Sequence, residues 1–196
     1  MALTKQAKTL STTQIKTALA YLATTRHADR NRLILLLSVR QGMRAKEIAC
    51  LTWQMVLTSE GTIGDSINLT NRASKGAASG RAIPMHAEVR AALAAIIPAN
   101  PTGPVITTQK STTRTPGTSA QVIVNLFKHW YSALNFQGAS SHSGRRTAIT
   151  NWARKVSSVG GSLSDVRSLS GHRQMANLQL YIEYNTDAQV ALIKQT

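Results

Sequence analysis

Two arginines, two histidines and a tyrosine lie in short segments whose side chains suit a phosphate ester. Arg44 stands in Gly42-Met43-Arg44-Ala45-Lys46-Glu47-Ile48-Ala49-Cys50-Leu51-Thr52-Trp53. His142 and Arg145 stand in Ser141-His142-Ser143-Gly144-Arg145-Arg146-Thr147, and His172 closes Leu169-Ser170-Gly171-His172. Tyr181 follows nine residues after His172. Breaking a phosphodiester without a metal needs a nucleophile, positive charge around phosphorus and an acid for the leaving oxygen. A guanidinium makes paired, charge-assisted contacts to phosphate and stays protonated. A phenol ionises near pH 10, so it needs help to lose its proton, yet it leaves well afterwards. Alone, each residue has an ordinary reading. Arg44 could be a surface arginine, His142 a helix cap, His172 a residue at a helix C-terminus, and Tyr181 or the nearby Tyr184 a packing aromatic.

These residues need elements to carry them. The chain has 196 residues, 42% of them hydrophobic, which suits one domain or two small ones with a real core. Aromatics are 5% of residues, so aliphatic side chains and alanine are expected to build that core. One cysteine, Cys50, excludes an intrachain disulfide framework and a zinc site made of several cysteines, and suits a reducing cytoplasm. The longest apolar run, Leu33 to Leu37, is too short to span a bilayer, and the N-terminus lacks the apolar stretch of a secretory signal. Lysine and arginine total 23 against 8 acidic residues, for a net charge of +15. The pI is about 11. Such a surplus attracts a polyanion, and double-stranded DNA is the expected partner; no membrane partner is expected. The 8 acidic residues are scattered, which disfavours a metal-dependent nuclease, and neither metal nor cofactor is expected.

Helices are expected over 11–24, 29–41, from about Arg44 through Ile48 and Leu51, and over 86–97, 119–134, 141–157 and 163–170, with two short ones after Met175. Gly61 to Leu69 reads as a strand, and the turn-rich Ala73 to Pro84 as a hairpin. Residues 98–118 hold four of the five prolines and read as a loop, the best place for an internal hinge. The fold class is α+β: mainly helical, with a small antiparallel sheet.

Taken together, the segments quoted above resemble the signatures of the tyrosine recombinases, the phage integrase family, over roughly residues 10–190. The resemblance implies the catalytic-domain fold of that family. It implies a DNA recombinase that cleaves and rejoins strands through a 3′-phosphotyrosyl intermediate. In this reading Tyr181 is the nucleophile, and Arg44, Arg145 and His172 stabilise the phosphate. His142 takes a proton from tyrosine or gives one to phosphate oxygen. Lys75 is the general acid for the leaving 5′-oxygen, although its distance to Pro84 is one residue longer than the family hairpin suggests. Arg145 is placed in the first turn of its helix, where free backbone N–H groups also favour phosphate. Spacing favours Tyr181 over Tyr184 as nucleophile, and Arg145 over the adjoining Arg146. Glu47 reads as structural, holding the Arg44 helix through a buried hydrogen bond.

Only about ten residues precede the first expected helix, so residues 1–196, a minimal enzyme or a fragment of a longer one, are expected to form a single catalytic domain without the family's usual N-terminal core-binding domain. Weaker DNA binding than that of a two-domain integrase follows, each lost phosphate contact lowering the salt slope by about 0.9. Arg81, Arg114, Lys110 and Lys128 are candidate DNA-backbone contacts. Residues 186–194, with Ala188, Val190, Ala191 and Ile193, form a short apolar patch that could dock on a neighbouring protomer. A homo-oligomer is expected, a tetramer on DNA, possible accessory DNA-bending proteins with it, and a cytoplasmic, nucleoid-associated location. Two other readings share the residues: a type IB topoisomerase-like relaxation of DNA, and a non-catalytic DNA-binding regulator derived from an integrase.

Overall fold

The computed structural model describes residues 7–71, 80–108, 117–179, 181 and 193. Helix α1 (Thr12–Ala23) starts at a reciprocal cap, with Ser11 Oγ accepting from the Gln14 amide and Gln14 Oε1 accepting from the Ser11 amide. It buries Ile15, Ala18 and Leu22. Helix α2 (Ala28–Val39) is buried without interruption from Leu33 to Val39. A helix apolar on every side belongs in the interior, and α2 packs against α1, α4 (Ala87–Ala94) and α6 (Ser143–Lys155). The short α3 (Ala45–Ala49) lies against α5 (Ala120–Ala133). Two strands, β1 (Ser66–Leu69) and β2 (Arg81–Pro84), pair antiparallel with Ile67 opposite Ile83. Ile67, Leu69 and Ile83 face the core, as period-two alternation requires. Helices α7 (Leu163–Ser170) and α8 (Met175–Gln179) follow α6.

The described residues form two apolar clusters. The larger gathers side chains from α1 to α5 and both strands. The smaller holds Ile149, Val166 and Leu178, with Trp152, Val156, Met175 and Tyr181 packed against it. This second cluster ties α6, α7 and α8 into the support on which Tyr181 rests. Its anchoring helix, α6, comes unusually close to α2 at Gly144, where an added Cβ would lie 2.3 Å from Ser38 Oγ. Only hydrogen fits there, so this glycine sets how near the start of α6 sits to the central helix.

The α+β class is present, and so are the expected helices up to the first of the two after Met175, with ends shifted by a few residues; the second lies outside the described residues. The expected strand is shorter. Residues 61–65 run into it as a turn, joined to the chain by the isolated Leu57–Ile63 bridge. Aromatics carry more of the core than their number suggested: Trp53, Phe127, Trp130 and Tyr131 are all buried. Phe127 meets Trp130 edge-on at 5.3 Å. The hinge expectation fails for the described part of residues 98–118. The Val105 amide bonds the Leu51 carbonyl, the Trp53 amide bonds the Gly103 carbonyl, and Val105 and Ile106 lie in the core. The hairpin turn and most of the chain beyond Gln179 lie outside the described residues, as does all but Ile193 of the proposed docking segment 186–194. Among the described residues, no helix is long and apolar enough to cross a membrane.

Candidate active site

Glu47 organises one half of the site. It sits on the apolar side of α3 and is fully buried. Its Oε2 accepts from the Arg44 amide at 2.8 Å, closing the N-terminus of α3, and its Oε1 accepts from Arg44 Nη1 at 2.9 Å. Arg81, from the first position of β2, approaches the same carboxylate with Nη1 at 2.9 Å and Nη2 at 3.2 Å. Burial alone would raise the Glu47 pKa, but the Arg81 hydrogen bond and charge, with those of Arg44, bring it below the usual range. The carboxylate is ionised at neutral pH.

Arg145 organises the other half. It lies in the first turn of α6, with 1% of its surface exposed. Its Nη1 donates to the Gly42 carbonyl and its Nη2 to the Ser170 carbonyl at 2.8 Å. Nη2 also lies 3.3 Å from His172 Nε2. Its Nε is buried and, among the described residues, without a partner. Burial first, then the nearby Arg44 charge, hold Arg145 below the ordinary arginine range, though it remains a cation at neutral pH. The guanidinium lies 5.9 Å from the Tyr181 ring centre.

His172 is aimed by the end of α7. Gly171 terminates that helix at φ +66°, and a Cβ there would lie 2.6 Å from Arg81 Nη1. The left-handed turn and the close guanidinium both call for glycine. His172 Nδ1 lies 2.8 Å from Ser170 Oγ, which itself donates to the Arg167 carbonyl. Ser170 Oγ must therefore accept from Nδ1–H, leaving Nε2 as a lone pair facing Arg145. Burial, then Arg145 and Arg44, push the His172 pKa down to about 4, so this neutral tautomer persists at pH 7. The ring lies 4.8 Å from the Tyr181 ring at 44°. The Tyr181 carbonyl accepts from Thr150 Oγ1 at 2.7 Å, fixing the tyrosine to α6. His142, exposed at the N-terminus of α6, is also depressed, by desolvation and by the Arg145 and Arg44 charges.

Two guanidiniums thus hold one carboxylate and a third, Arg145, lies within reach of its charge, leaving two positive charges over beside a phenol. A cleft of about 360 Å³, lined by Gly80, Arg81, Arg167, Ser168, Gly171, His172 and Arg173, opens next to them. A larger hollow of about 590 Å³ near the C-terminus of α5 contains none of the site side chains. Among the described residues, no group of three or more His, Cys, Asp or Glu side chains could hold a metal ion.

The profile of the phage integrase family matches residues 8–187. The chain belongs to the phage integrase family. Its fold is that of the tyrosine recombinase catalytic domain. It is similar to the Tn1549 transposon integrase in complex with transposon right end DNA (TM-score 0.73, 17% identity, 98% of this chain and 67% of that one). It is also similar to the XerA recombinase (TM-score 0.66, 20% identity, 95% and 64%). A third is the XerH recombinase in a post-cleavage complex with palindromic difH substrate (TM-score 0.69, 17% identity, 96% and 53%). The chain therefore spans between 53% and 67% of these three. No curated protein sequence matches it significantly.

Of the six site residues expected in this chain, Arg145, His172 and Tyr181 meet directly. Arg44 and His142 lie close enough to act on the same charges. Lys75 and the competing Tyr184 fall outside the described residues, as do Lys110 and Arg114. Glu47 has the structural role expected of it. Arg81 does not: it was expected as a DNA-backbone contact, and its side chain is 9% exposed and committed to Glu47 and to the Leu169 carbonyl. Lys128 is exposed, away from the cluster, on the larger hollow. Two roles were missed. Ser170 entered the sequence analysis only as part of the segment that His172 closes, yet its carbonyl holds Arg145 and its hydroxyl sets the His172 tautomer. The signal for Arg81 was indirect: a buried glutamate needs a cation close by.

Proposed function

We propose that this integrase-family chain cleaves and rejoins DNA strands through a covalent bond between Tyr181 Oη and the 3′ phosphate at the break. What carries the reading is the uncompensated pair of positive charges around Arg44 and Arg145, set against the Tyr181 phenol. Tyr181 Oη attacks phosphorus, and the 5′ oxygen of the next nucleotide leaves. Arg44 and Arg145 balance the charge that grows on the non-bridging oxygens, and the unpartnered Nε of Arg145 offers a further donor. His142, kept neutral by its surroundings, accepts the tyrosine proton. Lys75 protonates the leaving 5′ oxygen. Attack of a 5′ hydroxyl on the phosphotyrosine reverses the steps and reseals the strand, so no external energy source enters.

His172 has a narrower part. With Nε2 unprotonated it can hold Arg145 but cannot donate to phosphate. A bound phosphate dianion or diester adds negative charge beside it, which favours the protonated ring and turns Nε2 into the expected donor. DNA is the partner in this proposal, a tetramer on DNA the working assembly, with DNA-bending proteins as accessories and the nucleoid as the location.

The test is covalent trapping. The protein is incubated with nicked suicide DNA substrates in EDTA and run on a denaturing gel, beside Tyr181→Phe and Tyr184→Phe. An adduct lost in Tyr181→Phe and kept in Tyr184→Phe supports the proposal. DNA binding without an adduct on every substrate points instead to a non-catalytic regulator. Relaxation of supercoiled plasmid without strand exchange points to topoisomerase-like activity.

A further inference from the structure

Arg81 is attached to three parts of the site at once. It starts β2, on the far side of the hairpin from β1. Two of its nitrogens hold the Glu47 carboxylate on α3. Its Nε donates to the Leu169 carbonyl at 3.0 Å, in the last turn of α7. The next residue, Ser170, supplies the carbonyl that Arg145 holds, and His172 follows two positions later. One planar guanidinium therefore joins the hairpin, the segment bearing Arg44 and the segment bearing His172.

The charges give this link a consequence for Arg44. Glu47 Oε1 lies 2.9 Å from both Arg44 Nη1 and Arg81 Nη1. A fully buried carboxylate demands a full positive charge close by. With Arg81 present, that demand is met from the buried side, where the Arg81 side chain is 9% exposed. Arg44, with 24% of its side chain exposed, keeps most of its charge for a partner outside. Without Arg81, Glu47 would take Arg44 as its sole cation, and the site would lose one of its two spare positive charges.

We infer that Arg81 is a positioning residue for the phosphate site. It neutralises Glu47 so that Arg44 is available to phosphate, and it ties the hairpin to the end of α7. The inference rests on the strand-cleavage reading for its effect on rate, and on the charge balance alone for its effect on anion binding.

Two measurements separate these. The first is the single-turnover rate of covalent adduct formation with DNA at saturation, normalised to the folded fraction. Arg81→Gln should slow it roughly 100-fold, with DNA affinity changed less than about threefold. Arg81→Lys, which keeps the charge but not the fork, should recover part of that loss. Adding Glu47→Gln to Arg81→Gln should restore the rate at least tenfold, because removing the carboxylate releases Arg44. The second is the dissociation constant for inorganic phosphate, by calorimetry. Arg81→Gln should weaken it about tenfold, and the double variant should return it near the wild-type value. A wild-type rate in Arg81→Gln overturns the inference. So does a double variant as impaired as Arg81→Gln in both measurements, which would mean that Arg81 touches phosphate itself or only supports the fold. If the wild type forms no adduct, the strand-cleavage reading fails, and phosphate binding in the three proteins still decides the role of Arg81.

Discussion

Glu47 is the position where removing one side chain should do most harm to the fold. The carboxylate is wholly buried, and the Arg81 guanidinium it faces is 9% exposed. Glu47→Ala leaves that cation in the interior with only the Leu169 carbonyl for company. Breaking a buried pair from one side typically costs about 3–5 kcal/mol, most of it from the stranded partner. The other end of the network behaves differently. Arg44, 24% exposed, can be removed while Arg81 still compensates Glu47, so Arg44→Ala should cost about 1 kcal/mol or less, as partly exposed pairs do. Urea unfolding followed by circular dichroism measures both. Taking a slope of about 3 kcal/mol/M for a chain of this size, the Glu47→Ala midpoint should fall by about 1–1.7 M. The Arg44→Ala midpoint should fall by no more than about 0.3 M on the same slope. Equal losses in the two variants, or a loss below about 1 kcal/mol for Glu47→Ala, would refute the placement of the buried charge on Glu47 and Arg81.

Three further outcomes follow from the same geometry. Gly171→Ala forces a side chain into the left-handed region, where a Cβ meets Arg81 Nη1 at 2.6 Å; it should lower stability by about 1–2 kcal/mol from the backbone alone and slow adduct formation by displacing His172, read by urea unfolding and by the trapping assay. Tyr131→Phe removes a buried hydroxyl that has no hydrogen-bond partner among the described residues, so it should leave stability unchanged or raise it by about 1 kcal/mol, read as a shift in thermal midpoint. His172 has a folded pKa of about 4 against 6.5 unfolded. Between those values the unfolded chain holds a proton that the folded chain refuses, so stability should fall as pH drops from about 6.5 towards 4. His142 is depressed too and adds in the same direction. His172→Gln should flatten that pH dependence in urea titrations run across this window.

The elements were legible where local chemistry marks them. Ser11 with Gln14, and Ser162 with Asp165, announce helix starts, and the apolar spacing of α1 and α5 survives into their buried faces. The Leu33–Leu37 run announced a buried helix, because no solvent face is left to it. The strand was read too long because Ile63 looks like a strand residue but serves only an isolated bridge to Leu57. The hinge was misread because proline content signals a loop without saying whether its neighbours bury it; Val105 and Ile106 do. At the site, residue type and spacing pointed to Arg44, Arg145, His172 and Tyr181, which the fold brings together. Arg81 was legible only as charge. Its role depends on the hairpin register, which brings it to a glutamate 34 residues away, and no local pattern encodes that contact. The unprotonated Nε2 of His172 was equally hidden, since it depends on which way the Ser170 hydroxyl is already spent.

The central claim is that Tyr181 carries the DNA. The most direct measurement is to trap the adduct on a suicide substrate, digest protein and DNA, and locate the nucleotide-bearing tyrosine by tandem mass spectrometry. The account predicts a 3′-phosphonucleotide on Tyr181, with Tyr184 unmodified in the same peptide. A nucleotide on Tyr184, or on any other residue, would contradict it.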